Sequence, residues 1–389
     1  MEKAKSILYV VSREIQLMTV LNLCQKTNEN KDLLFVNYNS YKWNKLVKRL
    51  IDKDIFNNIY IYKNAYIDRH NIFAVKGLSS KVYIYNKNNQ IQNNTNNQWL
   101  QKDEIHSFYC NDGFSIDRYM SIFTSDITIL DKYSQKIRKL GISIKLFDEG
   151  VLSYFDSYIE QCNSFIECKD IYLYDPRLAN YSKKYNLYRI EKISSRNKEL
   201  IDLYNYIFNY KKLLIGNGLL EIFFSQPFKF ELSLKARIRQ LFHLFQNRSI
   251  GEYVDYETAR CQDNFINQIR KKKPDLLRKK HPIESDIENT VDIDYPWELY
   301  LLNNDEVKVK QYSLYSSVLC CHMILNESYN IKSYYLYPYV VKLISEKYKI
   351  DNSILINELT QFFNKAEKLG YVTSVKNLHD LGEAINEEI

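Results

Sequence analysis

Short apolar runs rich in β-branched and aromatic residues alternate along the chain with segments of helical periodicity, and this alternation constrains the fold more than any other feature. In the first half the apolar runs occupy residues 7–11, 33–37, 58–62, 82–85, 142–147 and 171–174. Helical segments such as residues 14–25 and 43–51 separate several of them. Strands joined by helices in this order predict parallel β-α-β units and an α/β fold.

A second series of the same kind begins near Lys211. Residues 213–215 run into Gly216-Asn217-Gly218, which predicts a buried strand that ends in a tight turn. Predicted strands follow at residues 276–279, 307–312 and 334–337, with predicted helices at 262–272, from Ser317 onward and at 354–369. Because a chain of 389 residues exceeds the size at which one core usually stops growing, we expect two doubly wound domains, 1–208 and 209–389, that face one another across a cleft.

The composition argues against several classes of protein. The formal charge is +7, but Lys and Arg are spread along the chain without a basic recognition motif, so we expect no nucleic-acid partner. Seven cysteines without a Cys-x-x-Cys pair argue against a zinc site or a disulfide framework. The early apolar run is too short for a signal peptide and no run approaches the length of a membrane span, which together predict a cytoplasmic protein.

The first motif that carries chemistry is Asp148-Glu149-Gly150, directly after the predicted strand 142–147. Open α/β sheets bind their ligands where the strands end, and glycine allows the backbone to turn sharply there. Neighbouring carboxylates raise one another's pKa, which suits a group that takes a proton from a hydroxyl as a new bond forms. The alternative is an ordinary turn at the end of a strand.

Two later motifs supply the chemistry of a phosphate. His281-Pro282 ends the predicted strand 276–280, and a protonated histidine there would stabilise charge on a departing phosphate oxygen. Ser313, Ser316 and Ser317 lie between a predicted strand and a predicted helix, where hydroxyls and free amides bind anions. The alternatives are a surface histidine in a basic loop and an ordinary helix N-cap.

In this order the three motifs resemble those of a group of bacterial sialyltransferases, which carry an acidic-acidic-Gly motif, a His-Pro motif and a late Ser/Thr-rich motif. The resemblance is strongest to glycosyltransferase family 52 and the related polysialyltransferases. The resemblance implies a GT-B-like fold of two Rossmann-type domains, with the catalytic base in the N-terminal, acceptor-side domain and the donor in the C-terminal domain. It implies an inverting transferase that moves sialic acid from CMP-N-acetylneuraminate to a hydroxyl of a bacterial surface glycan, in lipooligosaccharide or capsule, without a cofactor or a metal.

The resemblance also assigns roles to individual residues. The catalytic base is Asp148, with Glu149 next, and His281 assists the departure of CMP. Donor binding is assigned to residues within or beside the motifs, namely Gly150, Pro282, Ser316, Ser317 and Glu298, the last of which resembles a glutamate that contacts the donor ribose. Gln16 matches a glutamine in the family's first turn, which implies a place on the acceptor side. Asn217 and Gly218 are donor candidates by position alone, because they open the second domain.

Several alternatives stay open at this point. Asp292-Ile293-Asp294 matches the Asp-x-Asp signature of metal-dependent transferases, but a donor with a single phosphate does not need it, and we interpret it as a solvated turn. Residues 228–245 alternate apolar and basic side chains at helical spacing, so they form either a half-buried helix or a peripheral contact with the inner face of the membrane. Two other functions remain: a GT-B transferase with another nucleotide sugar, and a non-catalytic glycan- or membrane-binding protein.

Overall fold

The chain divides into two compact units, Met1–Tyr210 and Lys211–Ile389. The predicted boundary between residues 208 and 209 lies two residues before this division. The computed structural model describes residues 6–25, 29–37, 42–63, 82–86, 109–110, 115–127, 130, 133–213, 218–228, 247–281, 291, 293–326, 330–348 and 354–388. Each unit has its own sheet and is described by itself.

The first unit is built on a sheet of nine strands within the described residues. These are β1 (Ser6–Val11), β2 (Lys31–Asn37), β3 (Asn58–Lys63), β4 (Val82–Asn86), β5 (Tyr109–Cys110), β6 (Tyr119–Thr124), β7 (Ser143–Phe147), β8 (Asp170–Leu173) and β9 (Asn186–Arg189). Their order is β5-β4-β3-β2-β1-β6-β7-β8-β9. Seven strands, from β3 to β9 across the sheet, are parallel, whereas β4 and β5 run antiparallel to their neighbours.

The chain order reverses between β1 and β6, because β1 to β3 step towards one side of the sheet and β6 to β9 towards the other. Ligands of open α/β sheets bind at such a reversal, at the edge where the parallel strands end. We call this the C-terminal edge. The helices of the unit are α1 (Glu14–Cys24), α2 (Lys42–Asp52), α3 (Ser134–Leu140), α4 (Asp156–Phe165) and α5 (Lys198–Phe208), with short 3-10 turns at Ile116–Arg118, Val151–Tyr154 and Pro176–Leu178.

The second unit carries a smaller sheet, all of whose described strands are parallel. The strands are β10 (Leu219–Phe224), β11 (Leu277–Lys279), β12 (Lys308–Ser313), β13 (Ile331–Tyr335) and β14 (Thr373–Ser374), in the order β11-β10-β12-β13-β14. The order therefore reverses between β10 and β12. The helices are α6 (Asn247–Lys272), α7 (Trp297–Leu302), α8 (Tyr337–Tyr348), α9 (Ile354–Lys368) and α10 (Leu378–Asn386), and Ser317–Met323 is a 3-10 helix.

These two parallel sheets with their helices make the protein an α/β protein, compatible with two Rossmann-like units. The predicted strands and helices of the first unit are confirmed, except that the strand at 82–85 pairs antiparallel with β3. Three strands were not predicted: the two-residue β5, and β6 and β9. Serine interrupts the apolar pattern of β6, and every residue of β9 is exposed, so neither carries the pattern of a buried strand. Within the described ranges, no helix is long and apolar enough to cross a bilayer.

Two predictions for the second unit are wrong in detail, and a third falls mostly outside the described residues. The helix expected from Ser317 is a 3-10 helix broken at Cys320, so it offers little aligned dipole. The strand expected at 334–337 ends at Tyr335, and Tyr337 already begins α8. The first described strand of this unit, β10, begins at Leu219, after the glycine turn. The strand predicted at residues 213–215 lies mostly outside the described residues.

Candidate active site

Asp148 follows β7 at the C-terminal edge of the first sheet and holds the turn there. Its side chain is 4% exposed. Its carboxylate accepts hydrogen bonds from the backbone N–H of Gly150 at 2.8 Å, from the N–H of Tyr174 at 3.2 Å and from the hydroxyl of Tyr154. Gly150 has φ 121° and ψ −154°, a conformation reserved for glycine. The side chain of Asp148 therefore stabilises the conformation of this loop.

The environment of Asp148 favours the protonated, neutral form of its carboxyl group. Burial raises the pKa of this carboxyl to about 6, and the three donors from Tyr154, Gly150 and Tyr174 oppose the shift without cancelling it. All three donors come from the protein, and with only 4% of Asp148 exposed a substrate hydroxyl has little access to the carboxylate.

Glu149, the next residue, lies in a different environment. Its side chain is half-buried, and its backbone N–H donates to Oγ of Ser153 at 2.9 Å. Burial raises the pKa of Glu149 to about 7; the charge of Arg13 lowers it and that of Asp126 raises it. A carboxylate that titrates near neutral pH and keeps partial exposure has the properties of a general base. Of the two predicted carboxylates, Glu149 is the one that keeps partial exposure.

Gln16 holds the candidate base in place. Its Oε1 accepts from the backbone N–H of Ser12 at 2.7 Å and from the Ser12 hydroxyl at 3.1 Å, which leaves Nε2 to donate to Oε2 of Glu149 at 3.2 Å. Gln16 is 1% exposed. The structure therefore places Gln16 behind the carboxylate, as a positioning residue, and its predicted contact with an acceptor is not supported by this burial.

The same face of α1 makes two further polar contacts with the ends of strands. The hydroxyl of Tyr174 donates to Oγ1 of Thr19 at 3.4 Å, and Nδ2 of Asn22 donates to the carbonyl of Glu191 at 2.7 Å. With Gln16, these residues form a buried polar stripe along the loops that follow β7, β8 and β9. Thr19 and Asn22 were not predicted as site residues, although buried polar residues at every third position of an apolar helix are a visible signal.

In the second unit, His281 follows β11, and the serines lie at and after the end of β12. They therefore share the C-terminal edge of the second sheet, with β10 between the two strands. His281 lies two residues beyond the end of β11 and is half-buried. Ser313 ends β12 fully buried, and its hydroxyl donates to the carbonyl of Phe224 at 2.8 Å, so its role is structural. Ser316 and Ser317 are half-buried, and Oγ of Ser316 accepts from the N–H of Val318 at 3.4 Å as the cap of the 3-10 helix.

Glu298 is buried in the first turn of α7, with 6% of its surface exposed. Burial raises its pKa, which its own backbone N–H and the charge of Lys279 oppose. Lys279 is the last residue of β11, two positions before His281. The electrostatic link to Lys279 associates Glu298 with the strand that carries the predicted histidine.

Other predicted donor-side residues are not brought to this edge or fall outside the described residues. Gly218, with φ 74°, directly precedes β10, and its carbonyl accepts from the N–H of Lys308 at 3.2 Å. It therefore lies where β10 and β12 begin, at the opposite edge of the sheet from His281, because the strand follows the glycine turn. Asn217 and Pro282 lie outside the described residues, as do Asp292 and residues 229–245.

One cluster in the described part of the chain has side chains close enough to share a cation. His379, Asp380 and Glu383 on α10 bring one ligand atom each within 4.8 Å of one another. Oδ2 of Asp380 already accepts from the backbone N–H of Lys376 at 2.8 Å. None of the three belongs to the predicted motifs.

A scan against protein-family models finds no match to this chain, and a search of curated proteins finds none either.

Proposed function

We propose that this chain is an inverting sialyltransferase of the GT-B type, which transfers sialic acid from CMP-sialate to a hydroxyl of a bacterial surface glycan at the cytoplasmic face of the membrane. The observation that carries the proposal is Glu149, a half-buried carboxyl whose pKa burial raises to about 7 and which Gln16 holds at the C-terminal edge, after β7 and one strand from the reversal between β1 and β6. The three motifs and their order support the choice of donor.

In this reaction Glu149 takes the proton of the acceptor hydroxyl while that oxygen attacks the anomeric carbon of the sialyl group. The bond from this carbon to the phosphate oxygen breaks, and its electron pair leaves with CMP. Attack from the face opposite to the leaving group inverts the configuration. His281 donates a hydrogen bond or a proton to the departing phosphate, and the hydroxyls of Ser316 and Ser317 hold its other oxygens. Asp148 shapes the loop that carries Glu149.

A donor with one phosphate demands less charge neutralisation than a sugar diphosphate does. One histidine and two hydroxyls are suited to this smaller charge, so the proposed reaction uses no metal. The residues assigned to the phosphate belong to one sheet edge of the second unit, at the ends of β11 and β12.

The test is CMP release from CMP-N-acetylneuraminate, measured with and without galactose-terminated acceptors and in the presence of EDTA. We expect the acceptor to stimulate release and EDTA to leave the rate unchanged. Folded protein that releases no CMP but turns over another nucleotide sugar in a donor panel would replace the sialyl donor. Folded protein that binds glycans without turnover of any donor would contradict the enzymatic assignment.

The pH dependence of transfer provides a second test. A general base works only when ionised, and the pKa of Glu149 is raised to about 7 by burial. We therefore expect kcat/KM to rise with pH up to about 7, and this rising limb reports the ionisation of Glu149. Removal of the charge of Arg13, which lowers this pKa, in Arg13→Gln should move the midpoint to higher pH. The exposed Arg196→Gln serves as a control, and a profile that is flat from pH 5 to 8 would argue against Glu149 as the base.

A further inference from the structure

Three aromatic side chains follow three neighbouring strands of the second sheet. Phe228 follows β10, Tyr315 follows β12, and Tyr337 follows β13 and begins α8. Because these strands are parallel neighbours, the three residues belong to one C-terminal edge. The strand order reverses between β10 and β12, so Phe228 and Tyr315 flank the position at which open α/β sheets bind their ligands.

The three rings form one edge-to-face group, which we call the aromatic cluster. The ring centroids of Phe228 and Tyr315 are 5.8 Å apart, with an angle of 82° between the ring planes. Those of Tyr315 and Tyr337 are 5.2 Å apart at 81°, so Tyr315 contacts both other rings. Tyr337 is buried, whereas Phe228 and Tyr315 are half-buried. Tyr337 therefore supports two rings that keep part of their surface exposed.

The aromatic cluster differs from the aromatic pairs inside the same unit. Tyr312 and Tyr334 stack at 5.1 Å with 17° between their planes, and Tyr335 and Phe363 stack at 3.9 Å with 14°. All four of these side chains are buried. A parallel stack covers one face of both rings, whereas an edge-to-face contact covers a face of only one ring. The cluster therefore has more ring surface left for a planar ligand than the stacked pairs have.

Hydrogen bonds hold the loop that carries Phe228. The backbone N–H of Gln226 donates to Oε1 of Gln262 at 2.8 Å, and Nε2 of Gln262 donates to the carbonyl of Gln226 at 3.3 Å. The N–H of Phe228 donates to the same carbonyl at 2.9 Å. Since Gln262 is fully buried in α6, this helix fixes the turn that presents the Phe228 ring.

The loop that carries Tyr315 is also fixed, and it leads directly to the residues proposed to bind phosphate. The hydroxyl of Ser313 donates to the carbonyl of Phe224 at 2.8 Å and accepts from the N–H of Ser316 at 3.4 Å. A ring held in place before the ligand arrives loses little conformational freedom on binding. Ser316 and Ser317 directly follow Tyr315. A molecule that carries a planar base and a phosphate matches this order of groups.

We propose that Tyr315 and Phe228, supported by Tyr337, form a subsite on which the base of a nucleotide stacks. This inference rests on the proposed function, which makes that base the cytosine of CMP. Stacking accepts any base, because every base has a π face. The aromatic cluster therefore selects a nucleotide over a sugar phosphate without a base, and the serines contact the phosphate that both of these molecules carry.

The experiment measures binding to the full chain by isothermal titration calorimetry, without an acceptor. The ligands are CMP, UMP and ribose 5-phosphate, the last of which keeps the sugar and the phosphate but has no base. Tyr315→Leu and Phe228→Leu remove one ring each and keep an apolar side chain, whereas Tyr315→Phe keeps the ring. Tyr339→Leu is the matched control, because half-buried Tyr339 packs against another ring, Phe265, at 5.5 Å. Melting temperatures establish that each variant is folded.

We expect wild type to bind CMP and UMP at least tenfold more tightly than ribose 5-phosphate. In Tyr315→Leu the Kd for both nucleotides should rise by about 5- to 150-fold, the effect of losing one stacked aromatic residue. The Kd for ribose 5-phosphate should stay unchanged, and Tyr315→Phe and Tyr339→Leu should bind all three ligands as wild type does.

Equal weakening of all three ligands in Tyr315→Leu would overturn the subsite, because it would mean that the substitution only disturbs the loop of Ser316. A wild type that binds nucleotides no better than ribose 5-phosphate would overturn it as well. The two proposals can fail separately. Ring-dependent nucleotide binding without sialyl transfer supports the subsite and contradicts the proposed function, whereas transfer with unchanged CMP affinity in both leucine variants contradicts the subsite alone.

Discussion

We expect Glu149→Gln to lower acceptor-stimulated CMP release by about 10²- to 10⁴-fold, the contribution of a positioned general base, and to leave the protein folded. Glutamine has the shape of glutamate, and its carbonyl oxygen can still accept the hydrogen bond that Nε2 of Gln16 donates at 3.2 Å. It cannot take a proton at neutral pH. The change therefore removes the base function and little else.

The measurement compares initial rates with saturating acceptor in wild type and Glu149→Gln. Slow release of CMP to water, which relies on His281 and the serines, should persist in the variant, and this separates loss of the base from loss of donor binding. Glu167→Gln is the control, because Glu167 is a 75% exposed carboxylate paired with Lys169. Wild-type turnover in Glu149→Gln would remove Glu149 from the mechanism.

We expect Asp148→Ala to destabilise the first unit by about 2–5 kcal/mol. It leaves three buried donors without an acceptor, at about 1–3 kcal/mol each, and this loss is partly offset because the variant no longer buries a carboxyl. These donors are the N–H groups of Gly150 and Tyr174 and the hydroxyl of Tyr154. We expect a fall in melting temperature of roughly 5–15 °C. An unchanged melting temperature together with lost transfer would instead indicate that Asp148 is the catalytic base, as predicted from the sequence.

The loss in Asp148→Ala should also depend on pH. The pKa of Asp148 rises from 3.8 to about 6 in the folded protein, so the folded state binds this proton more tightly than the unfolded state does. The contribution of Asp148 to stability is then greatest below pH 3.8 and declines as the pH rises towards 6. Urea denaturation at pH 5 should show a larger difference between wild type and variant than at pH 7.5. A difference that grows with pH would mean that the folded protein stabilises the carboxylate as an anion.

Much of the architecture was predictable from local pattern. Runs such as residues 7–11 and 58–62 are strands, and the helices at 14–25 and 43–51 are α1 and α2. These elements bury one side or all of their surface, so their periodicity is a direct consequence of packing. β9 was not predictable in this way because it is an exposed edge strand, held by its backbone pairing with β8. The direction of β4 was not predictable either, since pairing direction depends on the connection and leaves no mark on the strand's own residues.

The sequence by itself determined the α/β class, the two series of strands and the position of the acidic pair at the end of β7, because apolar periodicity and strand-ending turns are local properties. Only the tertiary structure decided what each carboxylate can do. Tyr154 and Tyr174 come from other segments to satisfy Asp148, while Gln16, 133 positions away, holds Glu149. Burial, hydrogen-bond partners and neighbouring charges set a pKa, and these depend on residues that meet only in the folded chain.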